Sequence, residues 1–249
     1  MTRRIEARRC SLVPIYVWIL AITVAGCSAG TSPTAIGSPS SSPSSSCPNG
    51  DGGECLGPLE AGTHSTVEFR PQITYRVPSG WANYEDLPGS FLLVPPGGNL
   101  PGVDANTSDF IGIYASIAPD AQDCSGRPAP GVGLSVSDIT SWMIRQPGLN
   151  TTQPQQVVIG GLHGEVLDVR MTNGWTKACH YPSATQPVVP LIVGIGISDL
   201  DHGIEPGVAT RLYLLDSAGG ALAIEVVDVS GGSHLDAYSE VVNAVRFAT

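Results

Sequence analysis

Residues 209–228 read ATRLYLLDSAGGALAIEVVD. Two apolar-rich runs of strand length, ATRLYLLD and ALAIEVVD, are joined by SAGG, which is a β-hairpin signal. A hairpin is marginal on its own, so the remaining chain has to supply more sheet. It offers several further runs. STVEF and ITYRV alternate apolar and polar residues, as half-buried strands do. SFLLV stops at Pro95-Pro96, and FIGIYASI (Phe110 to Ile117) reads as a buried strand. VVIGG leads through a glycine pair into GEVLDVRM, and PLIVGIGI is one more strand.

Two segments follow helical spacing instead. SVSDITSWMIRQP opens with Ser135-x-x-Asp138, close to a capping box, and places Ile139, Trp142 and Met143 on one face before Pro147 ends it. SHLDAYSEVVNAVRF opens likewise at Ser233-x-x-Asp236, with Leu235, Tyr238, Val241, Val242 and Val245 forming a stripe. The order of strands, helix, strands, hairpin and helix predicts an α+β class: an antiparallel β-sheet with two packed helices. Trp142 is expected in the core and Trp81 beneath the sheet. Trp175, in the polar TNGWTKA, is the tryptophan whose exposure would be informative.

ITYRVPSGW, FLLVPP, the first helix, VVIGGLHGEVLDV, RLYLLDSAGGALAIEVVD and the closing helix running into VRF follow in an order that resembles the PsbP/Mog1-like fold. The resemblance covers about residues 64–249. It implies an interaction or ligand-binding module and carries no catalytic signature. The Gly/Pro-rich stretches 97–108 and 120–133 depart from it.

The amino-terminal segment is of another kind. MTRRIEARRC is positively charged, and the apolar run from Ser11 to Gly26 is shorter than the ~20 residues a spanning helix needs. This is the pattern of a secretory signal. Val24-Ala25-Gly26-Cys27 resembles the lipobox of bacterial lipoproteins. That resemblance implies cleavage before Cys27 and a diacylglycerol on its sulfur, with acylation (palmitate among the chains) anchoring the protein on the outer face of the cell membrane. Residues 28–46, rich in Ser, Pro, Gly and Thr and without charge, read as a disordered tether with a reach near ~25 Å. The expected division is therefore a signal peptide at 1–26, an anchored tether at 27–62 and a globular domain at 63–249.

Once Cys10 falls in the leader and Cys27 takes lipid, four cysteines remain: Cys47, Cys55, Cys124 and Cys179. Four allow three pairings. Cys47 and Cys55 flank the short PNGDGGE and are expected to close a small loop, which leaves Cys124 for Cys179. Metal binding ranks below disulfides, because paired CxxC spacing is missing.

The formal net charge is −10, and four of the 12 basic residues (Arg3, Arg4, Arg8, Arg9) lie in the leader. No basic stripe remains to neutralise phosphates, which argues against nucleic-acid binding. Within the expected domain at 63–249, G-x-S-x-G, S-x-x-K, the P-loop and H-E-x-x-H are all missing. No cofactor is implied. The densest polar stretch is SDLDHGIEP, where Asp199, Asp201 and Glu205 are candidate oxygen ligands for a hard cation, with His202 among them. Their spacing fits no EF-hand loop, and a solvated loop between strands is the plainer reading. His163 and Glu165 share one face of a strand and could form an acid–base pair, although surface neighbours are the plainer reading. The expectation is thus a non-catalytic envelope lipoprotein whose domain binds an envelope protein or a small apolar ligand. The alternative is an envelope-directed hydrolase using acidic residues such as Asp199 and Asp201, which requires two carboxyls converging in one pocket.

Overall fold

The structure is a computed structural model that describes residues 57–103, 107–179, 187–197 and 200–248. The leader, Cys27, the tether, Cys47, Cys55 and Asp199 lie outside the described residues. In chain order the first elements are β1 (Gly57–Pro58), β2 (Gly62–Ser65), β3 (Ile73–Val77), β4 (Ala82–Leu87), β5 (Ser90–Val94) and a single turn, α1 (Leu100–Val103). β6 (Phe110–Tyr114), β7 (Ile117–Pro119), α2 (Val136–Ile144), β8 (Leu149–Thr151), β9 (Gln155–Ile159) and β10 (Leu162–Met171) follow. The chain then forms β11 (Val189–Gly194), β12 (Asp201–Ile204), β13 (Ala209–Ser217), β14 (Gly220–Asp228), α3 (Leu235–Asn243) and β15 (Arg246–Phe247).

The strands pair antiparallel into one nine-stranded sheet ordered β1-β4-β5-β6-β14-β13-β10-β8, with β9 also on β10, and two three-stranded sheets, β12-β11-β7 and β15-β3-β2. This is the α+β architecture expected, with α2 and α3 as the two packed helices. The large sheet is covered on both faces. One core joins Leu92, Phe110, Leu212, Ala223 and Val227 to α2 and to the β11 and β12 residues Leu191 and Ile204. The other joins Phe91, Ile113, Ile224 and Val226 to α3 and to Ile73 and Tyr75 of β3. Successive side chains of a strand point to opposite faces, so a strand between two cores must be apolar at nearly every position. This accounts for SFLLV, FIGIY and ALAIEVV.

The hairpin that most constrains the fold is present: β13 and β14 pair along their whole length, from Ala209 opposite Asp228 to Ser217 opposite Gly220. The β9–β10 hairpin turns at Gly160 and Gly161 with φ of +57° and +94°, a conformation glycine adopts without steric cost. Ser135 caps α2: its hydroxyl accepts from the Asp138 amide (3.2 Å) and donates to the Asp138 carboxylate (2.6 Å). FIGIYASI is one run divided between two sheets. It turns at Ser116 (φ +52°), where the Ala115 amide donates to Gly89, the Ser116 carbonyl accepts from Ile195 and the Ser116 hydroxyl donates to Gly219. The Cys124–Cys179 disulfide joins the loop after β7 to the segment after β10 and closes a 55-residue separation, for which loop entropy alone gives roughly 4 kcal/mol.

Four expectations need correction. STVEF is not a strand: β2 ends at Ser65, and the buried Asp86 carboxylate accepts the amides of Val67 (2.6 Å), Glu68 (3.3 Å) and Phe69 (2.8 Å), which removes them from any ladder. Ser233 does not cap the last helix. α3 starts after His234, whose amide is taken at 2.6 Å by Asp228 from the end of β14. SDLDHGIEP is not a solvated loop over its described part: Asp201–Ile204 is β12, paired to β11. The folded region also starts earlier than residue 63, since β1 pairs with β4 from Gly57.

Asp86→Ala strips three amides of their acceptor. Urea denaturation is expected to show a loss of roughly 3 kcal/mol, as for charged hydrogen bonds left unmade. A loss below about 1 kcal/mol would show that water replaces the carboxylate.

Candidate functional site

Between the large sheet and the β11–β12 side of the small one lies a cavity of about 870 Å³. Its apolar wall is formed by Leu92, Phe110, Leu191 and Val227, and its polar lining includes Glu85, Tyr114, Asp201, His202, Glu205 and Glu225. Glu225 is the key departure from pattern. In β14 the residues facing this side run Ala221, Ala223, Glu225 and Val227, so a carboxylate occupies a core position and is 2% exposed. Its neighbour across the ladder on β6 is Gly112. Any Cβ at Gly112 would collide with the Tyr114 hydroxyl, so the glycine makes room for that ring to lie back along its own strand.

His202 from β12 meets this carboxylate, with Nδ1 to Oε2 at 2.7 Å. The ring also stands edge-on to Tyr114 (centroids 4.8 Å apart) and to Phe110 (6.3 Å). Burial alone would pull the imidazole pKa down. The Glu225 charge and hydrogen bond, with Asp201 and Glu85 further off, more than offset this, and the pKa lies above 6.5. The carboxylate beside it thus favours the protonated form of the ring. Tyr114 is 1% exposed, and its hydroxyl has no hydrogen-bond partner among the described residues. Burial, then the Glu225 and Glu85 charges, hold it far from ionisation.

Asp201 has a second carboxyl behind it. Asp120 is wholly buried, and the backbones of Ala121 and Arg127 lie beside its carboxyl and draw its pKa down in part. Burial, followed by the shared proton and charge of Asp201, pushes its pKa up to about 8. Asp120 does not line the cavity. It lies behind the wall, close enough to Asp201 for the two carboxyls to interact.

The other predicted residues fall as follows. Asp201 and Glu205 line the cavity, but no third ligand atom joins either in a metal-like group among the described residues. The group that does gather is Asp109, Asp228 and His234, with ligand atoms within 4.8 Å of one another. Its oxygens are already engaged. Asp228 accepts from the Ser230 amide and hydroxyl and the His234 amide, and Asp109 accepts from the Val229 amide (2.9 Å) and the Tyr238 hydroxyl (2.9 Å). The group closes the start of α3. His163 is exposed, and its strand neighbour Glu165 accepts from Gln156 (3.0 Å). Trp142 is buried beneath α2, and Trp81 packs edge-on against Tyr238 of α3. Trp175 is half-buried, with its indole donating to Val188 (3.3 Å). Glu225 was missed by reading the sequence, although its signal was available: one carboxylate inside ALAIEVV. Tyr114 offered none, because its role depends on Gly112 two residues earlier.

No protein-family model and no curated protein matches the chain. Among solved structures it is similar to the solution structure of cyanobacterial PsbP (CyanoP) from Synechocystis sp. PCC 6803. The TM-score is 0.38 and the identity 10%, covering 76% of this chain and 95% of that one. It is also similar to a crystal structure from Bacteroides thetaiotaomicron VPI-5482, with a TM-score of 0.32 and 13% identity, covering 71% of this chain and 45% of the other.

His202 and Asp120 both hold a proton more tightly folded than unfolded. Stability from such groups is complete below their unfolded pKa values and is lost as pH rises through the folded ones. The melting temperature should fall as pH rises from 5, the upper part of the fall levelling off above about 8. Asp120→Asn, which stays neutral, should flatten that upper part in a calorimetric pH series. An unchanged profile in the variant would show that the two carboxyls do not share a proton.

Proposed function

We propose that the chain is a cell-envelope lipoprotein whose folded domain is a non-catalytic ligand-binding module, with the cavity between the two sheets as its site. The observation that carries this reading is the cavity itself. About 870 Å³ is the size of a small-molecule site, and apolar walls with a few fixed polar groups are the usual composition of one. His202 has its carboxylate partner, yet among the described residues no hydroxyl or thiol is hydrogen-bonded to the ring to serve as nucleophile. The hydrolase alternative needs two carboxyls open to one pocket. Asp120 and Asp201 do approach each other, but Asp120 is sealed from the cavity, which favours binding over acid catalysis. The envelope address rests on the Val24-Ala25-Gly26-Cys27 pattern and fits the Cys124–Cys179 bridge, since disulfides persist in oxidising compartments. Nucleic acid is not the expected partner of so acidic a chain.

Two measurements test the two halves. Mass spectrometry of the membrane fraction should find a mature chain that begins at a diacylglycerol-modified Cys27, and Cys27→Ala should leave the chain unprocessed. Recovery of an unmodified chain starting at Met1 would refute the anchor. For the cavity, a neutral apolar dye such as N-phenyl-1-naphthylamine should bind the full chain in nanodiscs at one site per molecule, above the signal of empty nanodiscs. Val208→Trp, which fills the lining from β13's approach, should weaken binding at least tenfold with the circular dichroism spectrum unchanged. Equal binding by the variant would remove the cavity from consideration.

A further inference from the structure

The polar edge that His202 presents to the cavity deepens the ligand-binding reading, on which it rests. Leu92, Phe110, Leu191 and Val227 form an apolar wall suited to the body of a hydrocarbon. Charge singles out no ion. Among the described lining residues there is neither Lys nor Arg, so an anion meets no cation but His202, which already faces Glu225 at 2.7 Å. Glu225 is taken up by the same contact, and Asp201 and Glu205 are engaged as well.

The edge in question is the second nitrogen of the imidazole. Nδ1 is spent on a carboxylate whose side chain is 3% exposed, yet 28% of the His202 side chain stays accessible, and the residue lines the cavity. Among the described residues Nε2 has no hydrogen-bond partner, and it is not one of the enclosed polar atoms left unsatisfied, so it is open to a guest. Three contacts hold the ring. Glu225 fixes Nδ1, while Phe110 and Tyr114 stand at 83° and 80° to the imidazole plane, with centroids 6.3 and 4.8 Å away. Neighbouring charges favour the protonated ring, in which both nitrogens donate. The cavity therefore presents an N–H whose direction is set before any ligand arrives, and a donor held in place loses little freedom when it is used.

We propose that the cavity takes a neutral, largely apolar molecule with one carbonyl oxygen, the oxygen accepting from Nε2 of His202 and the body lying against Leu92, Phe110 and Leu191. A carbonyl supplies lone pairs and no charge, so it satisfies the N–H without bringing a second ion into the cavity. His202 is then the residue that distinguishes a carbonyl compound from a hydrocarbon of the same shape.

Three probes of one shape separate the outcomes: 2-acetylnaphthalene, 2-isopropenylnaphthalene, in which a methylene replaces the oxygen, and 2-naphthoate. Each is brought to equilibrium by dialysis at pH 7 with the full chain in phosphatidylcholine nanodiscs, and its retention by empty nanodiscs is subtracted. The ketone is expected to bind about tenfold more tightly than the alkene, as one hydrogen bond to a charged group allows, and the carboxylate more weakly than the ketone. Replacing the buried pair together, His202→Phe with Glu225→Leu, leaves no lone charge inside and should bring the ketone to the affinity of the alkene. With a carbon-13-labelled carbonyl, the infrared band of the bound ketone should lie at lower wavenumber than in empty nanodiscs. That measurement needs only the natural chain, so it decides the matter if the double variant does not fold. The assignment is overturned, with the cavity still a binding site, if ketone and alkene bind equally or if the carboxylate binds as tightly as the ketone. It falls in the same way if the band is unshifted, if the double variant keeps the preference for the ketone, or if the naphthylamine dye binds and the ketone does not. Failure of all three probes and the dye overturns the ligand-binding reading as well.

Discussion

An antiparallel sheet buried on both faces leaves no strand position for an unpaired charge, and the rest of this structure follows from that constraint. β14 lies at the centre of the large sheet, between β6 and β13, with one core above it and another below. Only a partnered polar group is tolerated there, because burying a lone carboxylate costs several kcal/mol. Glu225 is tolerated because β12 brings His202 within hydrogen-bond distance and Gly112 opens space beside it. The small sheet does more than cover apolar surface: it supplies the counter-charge that lets the large sheet carry a carboxylate inside.

A buried ion pair is weak evidence of stability, since desolvation of both partners offsets most of the attraction. A His–Glu pair in this setting is better understood as a fixed polar point in an otherwise apolar wall. Around it the chain has stacked further costs: a Tyr114 hydroxyl without a partner and an Asp120 that stays protonated well above the usual carboxylate range. Such costs gather where a fold serves a purpose other than its own stability. Elsewhere the buried charged groups have partners. Arg211 makes a bidentate pair with Asp168 across the β10–β13 ladder and reaches Asp236 on α3, and Asp228 saturates the start of that helix.

The parts legible in the sequence were those governed by local pattern. The β13–β14 hairpin, the glycine turn at 160–161, the Ser135 cap and the apolar stripes of both helices are written in neighbouring residues, and the Cys124–Cys179 pairing follows from a short count of cysteines. What escaped depended on distant residues. ALAIEVV reads as a buried strand whichever way its glutamate points, and only the arrival of β12 reveals the partner. Ser65–Phe69 has the alternation of a strand, yet Asp86, seventeen to nineteen residues on, takes its amides. Asp201–Ile204 looks like a polar loop because its strand is short and lines a cavity, which allows half-buried polar side chains. The metal ligands suggested by SDLDHGIEP were plausible as a cluster along the chain. In space, Asp201 lies beside Asp120, and neither it nor Glu205 belongs to a three-ligand group among the described residues.

The bend at Ser116 joins two sheets of the fold by a single stretch of backbone. The floor and the roof of the cavity belong to two different sheets, yet β6 and β7 are a single ribbon folded at that corner. The fold is clasped by the β4–β5 turn, the end of β11 and the tip of the β13–β14 hairpin. The spacing of the two sheets is thereby held by one continuous stretch of backbone as well as by packing.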